Sequence, residues 1–101
     1  MLEFIKRFCK ENKVDIADVL NHTRKANSVM LRGALMYALY AGYSIRYRYK
    51  SDCLRDIAKV FSRSRENTYI AIKTFEYRAA IYPEYTTAKA AALASLIFEP
   101  K

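Results

Sequence analysis

Residues 53–78, CLRDIAKVFSRSRENTYIAIKTFEYR, limit the fold more than any other stretch. Leu54, Ile57, Val60 and Phe61 recur at three- and four-residue intervals, which sets an apolar stripe along a short helix. Ser51 or Asp52 can cap its start, because either side chain accepts from the free amides of a first turn. Ser62-Arg63-Ser64 then reads as a tight turn. Ser64 suits the N-cap of a second helix, with Glu66 in the first turn where the helix dipole favours an anion. Thr68, Ala71, Ile72 and Phe75 form the inner side of that helix and leave Arg65, Asn67, Lys73 and Arg78 outside. A second helix packed on a first, with a polar and basic first turn projecting outward, is the geometry that enters a DNA major groove.

The charge map points to the same segment. The formal net charge is +8 over 101 residues. Residues 1–23 carry four basic and four acidic side chains, and residues 79–101 carry Lys89 and Lys101 against Glu84 and Glu99. Residues 24–78 carry twelve basic and four acidic side chains, so the whole excess lies there. Charge runs are usually solvated surface, but an excess confined to one structural unit favours a polyanionic partner.

A chain of this length makes one domain the expectation, 1–101, able to bury a core without disulfides or metal. Only two Gly and two Pro, amid much Ala, Leu, Lys and Arg, favour an all-α chain. Cys9 and Cys53 read as two reduced thiols, which suits a cytoplasmic location. With His22 as the single His and no CxxC, neither a metal nor a cofactor is expected. The N-terminus lacks an apolar run of signal-peptide length, and the longest apolar run, residues 90–98, is too short to span a bilayer.

In chain order, Leu2 to Lys10 is the first helix, with Leu2, Ile5, Phe8 and Cys9 on one face. Asp15 caps a short helix from Ile16 to Leu20. A polar connection, residues 21–26, carries Arg24 and Lys25. Asn27 caps a central core helix from Ser28 to Ala41, closed by Gly42, with Leu31, Ala34, Leu35, Ala38 and Ala41 inward. Gly33 inside it signals close backbone packing or nothing. Residues 43–50, YSIRYRYK, alternate like a strand, yet an extended loop or a continued helix fits as well. Residues 79–82 extend the helix that follows the turn, and Pro83 ends it. Thr86 or Thr87 then caps a last helix from Ala88 to Phe98, apolar nearly all round and therefore buried against the chain's own core or a second copy.

With these helices in register, residues 2–78 resemble the C-terminal DNA-binding domain of the bacterial replication initiator DnaA. LEFIKRFCKENKVDIADVL is similar to that domain's first helix and "V.DL" turn, and Arg24-Lys25 falls on its basic linker. SVMLRGALMYAL resembles the family's long helix, roughly V-x-R-x-R-x-I-A-M-Y-L, with Arg32 on the second arginine. Met30 replaces the first arginine, which in the family reaches the minor groove. DIAKVFSRSRENTYIAIKTF resembles EIG..FGRDHSTVIHAIKKV, with Phe61, Arg63, Ala71, Ile72, Lys73 and Phe75 on matching positions. The family's Asp-His pair is Ser64-Arg65 here, and Glu66-Asn67 replaces its Ser/Thr-Thr. No GxxxxGK[ST] occurs in these 101 residues, so the family's ATPase module is not expected in them. The resemblance implies an all-α fold around a helix-turn-helix and double-stranded DNA as partner, not the family's recognition site or initiator activity. A stand-alone domain of this kind looks like a phage or mobile-element regulator of replication or transcription.

On this reading Arg65, Glu66 and Asn67 meet base edges, since Arg suits guanine, Asn suits adenine and Glu accepts from cytosine. Arg24, Lys25, Arg32, Arg46, Arg48, Lys50, Arg63, Ser64 and Lys73 meet the DNA backbone. The competing reading is a protein-interaction module that keeps the fold without base readout, with the apolar last helix as a homodimer or partner surface. An enzyme is not expected, for want of a second His, facing carboxylates or a Gly-rich phosphate loop.

Overall fold

The computed structural model describes residues 1–21 and 24–97. In chain order the helices are α1 (Leu2–Glu11), α2 (Ile16–Leu20), α3 (Ala26–Tyr43), α4 (Lys50–Val60), α5 (Arg65–Ala79) and α6 (Pro83–Ile97), with a 3-10 turn, Ser44–Arg46, after α3. No strand occurs among the described residues, so the chain is all-α.

Helix α3 is the centre because it is apolar on more than one side. Gly33, Ala34, Leu35, Met36, Ala38 and Leu39 are all buried, and α2, α4, α5 and α6 pack around them. Around that axis gather Phe4, Ile5 and Phe8 of α1, Val19 of α2, Ile57 of α4, Ile72 and Phe75 of α5, and Ala88 and Ala92 of α6. Each large apolar side chain sequestered this way contributes about 1.5–3 kcal/mol. Gly33 permits the approach of α5: a Cβ there would lie 3.0 Å from Cδ1 of Phe75. Of the two readings of Gly33, close packing is the one found.

Local chemistry sets several boundaries where the sequence places them. Asp15 caps α2, its Oδ1 accepting from the Ala17 amide at 3.0 Å. Between α4 and α5 the chain turns through Ser62 in the left-handed region, φ 53°. Cys9 and Cys53 are free and buried, and burial is the main reason both thiols are pushed up, Cys53 to about 11.

Other boundaries differ from the sequence reading. Helix α3 starts at Ala26 with Lys25 in the cap position, so Asn27 lies inside it. Gly42 does not close α3, which continues to Tyr43, and no glycine has positive φ. Its smallness instead makes room for the Leu96 side chain of α6. Helix α4 starts at Lys50 with Tyr49 in the cap position, leaving Ser51 and Asp52 in the first turn. Pro83 is the first residue of α6 rather than a mere stop, a position where its missing amide costs nothing. Thr86 and Thr87 therefore lie within α6, and their hydroxyls donate backwards to main-chain carbonyls of Ala79 and Pro83. Residues 80–82 form a turn and do not extend α5. Residues 43–50 combine the end of α3, the 3-10 turn and an extended passage into α4.

Helix α6 packs on α1, α3 and α5 through Ala88, Ala92 and Ser95, while Ala90 and Ala94 face solvent. Arg7 Nη2 donates to the Ser95 carbonyl at 2.9 Å, which ties α1 to α6. His22 and the expected helix end at Phe98 lie outside the described residues. No described helix is long and apolar enough to cross a membrane.

Candidate nucleic-acid interface

The first turn of α5 is built by its cap. Ser64 has extended backbone, φ −74° and ψ 158°, and its Oγ accepts from the Asn67 amide at 3.1 Å. Its carbonyl in turn accepts from Thr68 Oγ1 at 2.9 Å. Thr68, Ile72, Phe75 and Ala79 bury the opposite side of the helix. Arg65, Glu66 and Asn67 are consequently exposed on a turn held in place from beneath. Arg65 Nη2 lies 3.9 Å from Glu66 Oε1, an exposed pair of little energetic weight. Ser64 is committed to the cap through its Oγ, though its side chain is exposed.

The other residues expected to contact DNA lie at several places in the fold. Arg24 and Lys25 are exposed immediately before α3, and Arg46, Arg48 and Lys50 are exposed around the entry to α4. Arg46 stacks over the Tyr43 ring at 4.6 Å and Arg48 over Tyr49 at 5.5 Å, so tyrosines steady both guanidinium groups. Lys73 stands 5.7 Å from the Tyr69 ring centre and 3.8 Å from Glu76. Arg63 is half-buried in the turn, with a buried Nε that has no hydrogen-bond partner.

Arg32 does not belong with them. Its side chain is 6 % exposed and bonds main-chain carbonyls: Nε to Val19 at 2.8 Å and Nη2 to Asn21 at 2.6 Å. Desolvation, with the nearby Arg63 charge second, lowers its pKa. A guanidinium spent on the end of α2 is a structural strut, and the assignment of Arg32 to the DNA backbone is corrected accordingly.

The structure brings the start of α4 and the outer face of α5 together. Ser51, Leu54, Arg65, Glu66, Tyr69 and Ile70 line one open cleft of about 390 Å³. Lys50, the first residue of α4, is exposed and directly precedes Ser51 in the chain. The sequence reading passed over Tyr69 and Ile70. The signal was there, since Ile70 is an isoleucine one place off the inner stripe. The partner of Tyr47 was not legible: its hydroxyl donates to Asp56 Oδ2 at 2.7 Å and anchors the extended passage on α4. No cluster of His, Cys, Asp and Glu able to hold a metal occurs among the described residues.

Comparison with family models, with curated proteins and with solved structures finds no match.

Proposed function

We propose that the chain binds double-stranded DNA sequence-specifically, as a helix-turn-helix protein that regulates replication or transcription. The observation that carries this reading is the capped first turn of α5, which leaves Arg65, Glu66 and Asn67 exposed while the opposite side of the helix is buried. Arg and Asn have forked polar ends that match base edges bidentately, a fit that phosphate contact does not require. The exposed cations Arg24, Lys25, Arg46, Arg48, Lys50 and Lys73 supply the sequence-independent attraction. The resemblance of residues 2–78 to the DNA-binding domain of the DnaA family supports the same reading.

A second reading has its own observation. Tyr77, Ile81 and Tyr82 are exposed at the corner between α5 and α6, which favours a protein partner there. Helix α6 supports such a reading less, because Ala88, Ala91, Ala92, Leu93 and Leu96 pack on the chain's own core.

Selection from a pool of random duplexes, read out by sequencing, separates the two. A sequence-specific binder enriches a motif. A pool that stays random through successive rounds leaves the protein-interaction reading.

A further inference from the structure

Ile70 is 59 % exposed in the middle of α5. It lies one turn beyond Glu66 and one turn before Lys73, on the outward row of the helix. The inner side is filled by Thr68, Ile72 and Phe75, so the fold does not call for an isoleucine at this position. Tyr69 is 45 % exposed beside it, and Leu54 of α4 completes the apolar walls of the 390 Å³ cleft. Arg65 and Glu66 form its polar rim. An apolar recess therefore adjoins the side chains placed to meet base edges.

The major groove presents one apolar group that a hydrogen-bonding side chain cannot use, the methyl on C5 of a pyrimidine. The +8 excess confined to residues 24–78, the segment that supplies every wall of the cleft, favours a polyanionic partner over an apolar peptide. Resting on the DNA-binding reading above, we infer that Ile70, flanked by Tyr69 and Leu54, receives a pyrimidine 5-methyl group. The bound sequence then carries thymine, or 5-methylcytosine, at the step next to those read by Arg65 and Asn67. Ile70 is in this account a specificity residue, and the DNA backbone contacts do not involve it.

The test uses the full chain and a duplex selected from a random pool. Each thymine of the selected site is replaced singly by uracil, which removes the methyl and nothing else. One replacement should weaken binding about fourfold, the loss expected for one buried methyl group. Ile70→Ala should bind the parent duplex more weakly and bind the thymine and uracil duplexes alike. Its melting temperature should match the wild type, and if it does not, Ile70→Val should show a smaller loss with the fold intact. Cytosine and 5-methylcytosine at the same step distinguish the sources of the methyl. A methyl preference in both pairs, or in either pair alone, supports the assignment and identifies the base. Uracil duplexes that all bind like the parent while cytosine and 5-methylcytosine also bind alike, or an Ile70→Ala chain that keeps the methyl preference, overturn the inference and leave DNA binding standing. Wild-type affinity of Ile70→Ala would also overturn it. A pool without an enriched sequence overturns the base-reading itself.

Discussion

Arg32 Nε lies 2.8 Å from the main-chain carbonyl of Val19, and this bond fastens the central helix to the short helix before it. The same guanidinium reaches the Asn21 carbonyl, so one buried cation satisfies acceptors that the end of α2 leaves open. Arg32→Ala should lower stability by about 2–4 kcal/mol, because the carbonyls lose charge-assisted bonds in a buried place. Arg32→Lys should recover only part, since an ammonium lacks the planar fork. Urea denaturation checks both. An Arg32→Ala chain of normal stability but weakened DNA affinity would return Arg32 to the interface.

This contact shows where sequence reading stops. An arginine that falls on an arginine of the resembled family's long helix looks like a DNA ligand, and only the position of α2 in three dimensions reveals what it holds. Gly42 and Pro83 misled for a related reason. Each has a strong local meaning, a stop, but Gly42 is used for its size against Leu96 and Pro83 for its fixed φ at the start of α6. The caps Asp15 and Ser64 were legible because their partners, the amides of Ala17 and Asn67, are two and three residues away. The outward turn at Arg65, Glu66 and Asn67 was legible from the inner stripe alone. The cleft beside it was not, since Leu54 and Ile70 meet only through packing.

Gly33 supplies a packing prediction. Alanine is the better helix former by about 1 kcal/mol, so Gly33→Ala would stabilise an open position. Here the new Cβ meets Phe75, whose ring is held between Tyr37 at 5.9 Å and Tyr85 at 5.7 Å. Overpacking of about 1–3 kcal/mol should outweigh the propensity gain and lower the melting temperature. A raised melting temperature would show that Phe75 yields freely.

Tyr47 supplies a pH prediction. Its hydrogen bond to Asp56, then burial and the Asp56 charge, pushes the phenol up to about 12. The unfolded phenol titrates near 10. Protonated Tyr47 therefore stabilises the fold fully below about pH 10, and the contribution is lost as pH rises toward 12. Tyr47→Phe should be less stable than wild type by about 1–2 kcal/mol at pH 8. The gap should close between about pH 10 and 12 in denaturation experiments. A gap that does not change with pH contradicts the assignment.

The cations of residues 46–50 should act without regard to sequence. Changing Arg46, Arg48 and Lys50 to Gln should weaken binding to all duplexes alike and leave sequence preference intact. If about five phosphates are neutralised in the wild type, log K should fall with log salt at a slope of about −4 to −5. The triple variant should show a shallower slope in anisotropy titrations. Unchanged affinity would make the segment a structural connector.

The central claim rests on Arg65 and Asn67, and one paired titration tests it most directly. Each is changed to Ala, and affinity is measured on the selected duplex and on its scrambled counterpart, with melting as the control for folding. Both side chains are exposed, and neither belongs to the buried side of α5, so melting should not change. Base readout predicts a loss of about 1–3 kcal/mol on the selected duplex and a much smaller one on the scrambled duplex. An equal loss on both duplexes, with melting unchanged, would make Arg65 and Asn67 backbone contacts and contradict the account.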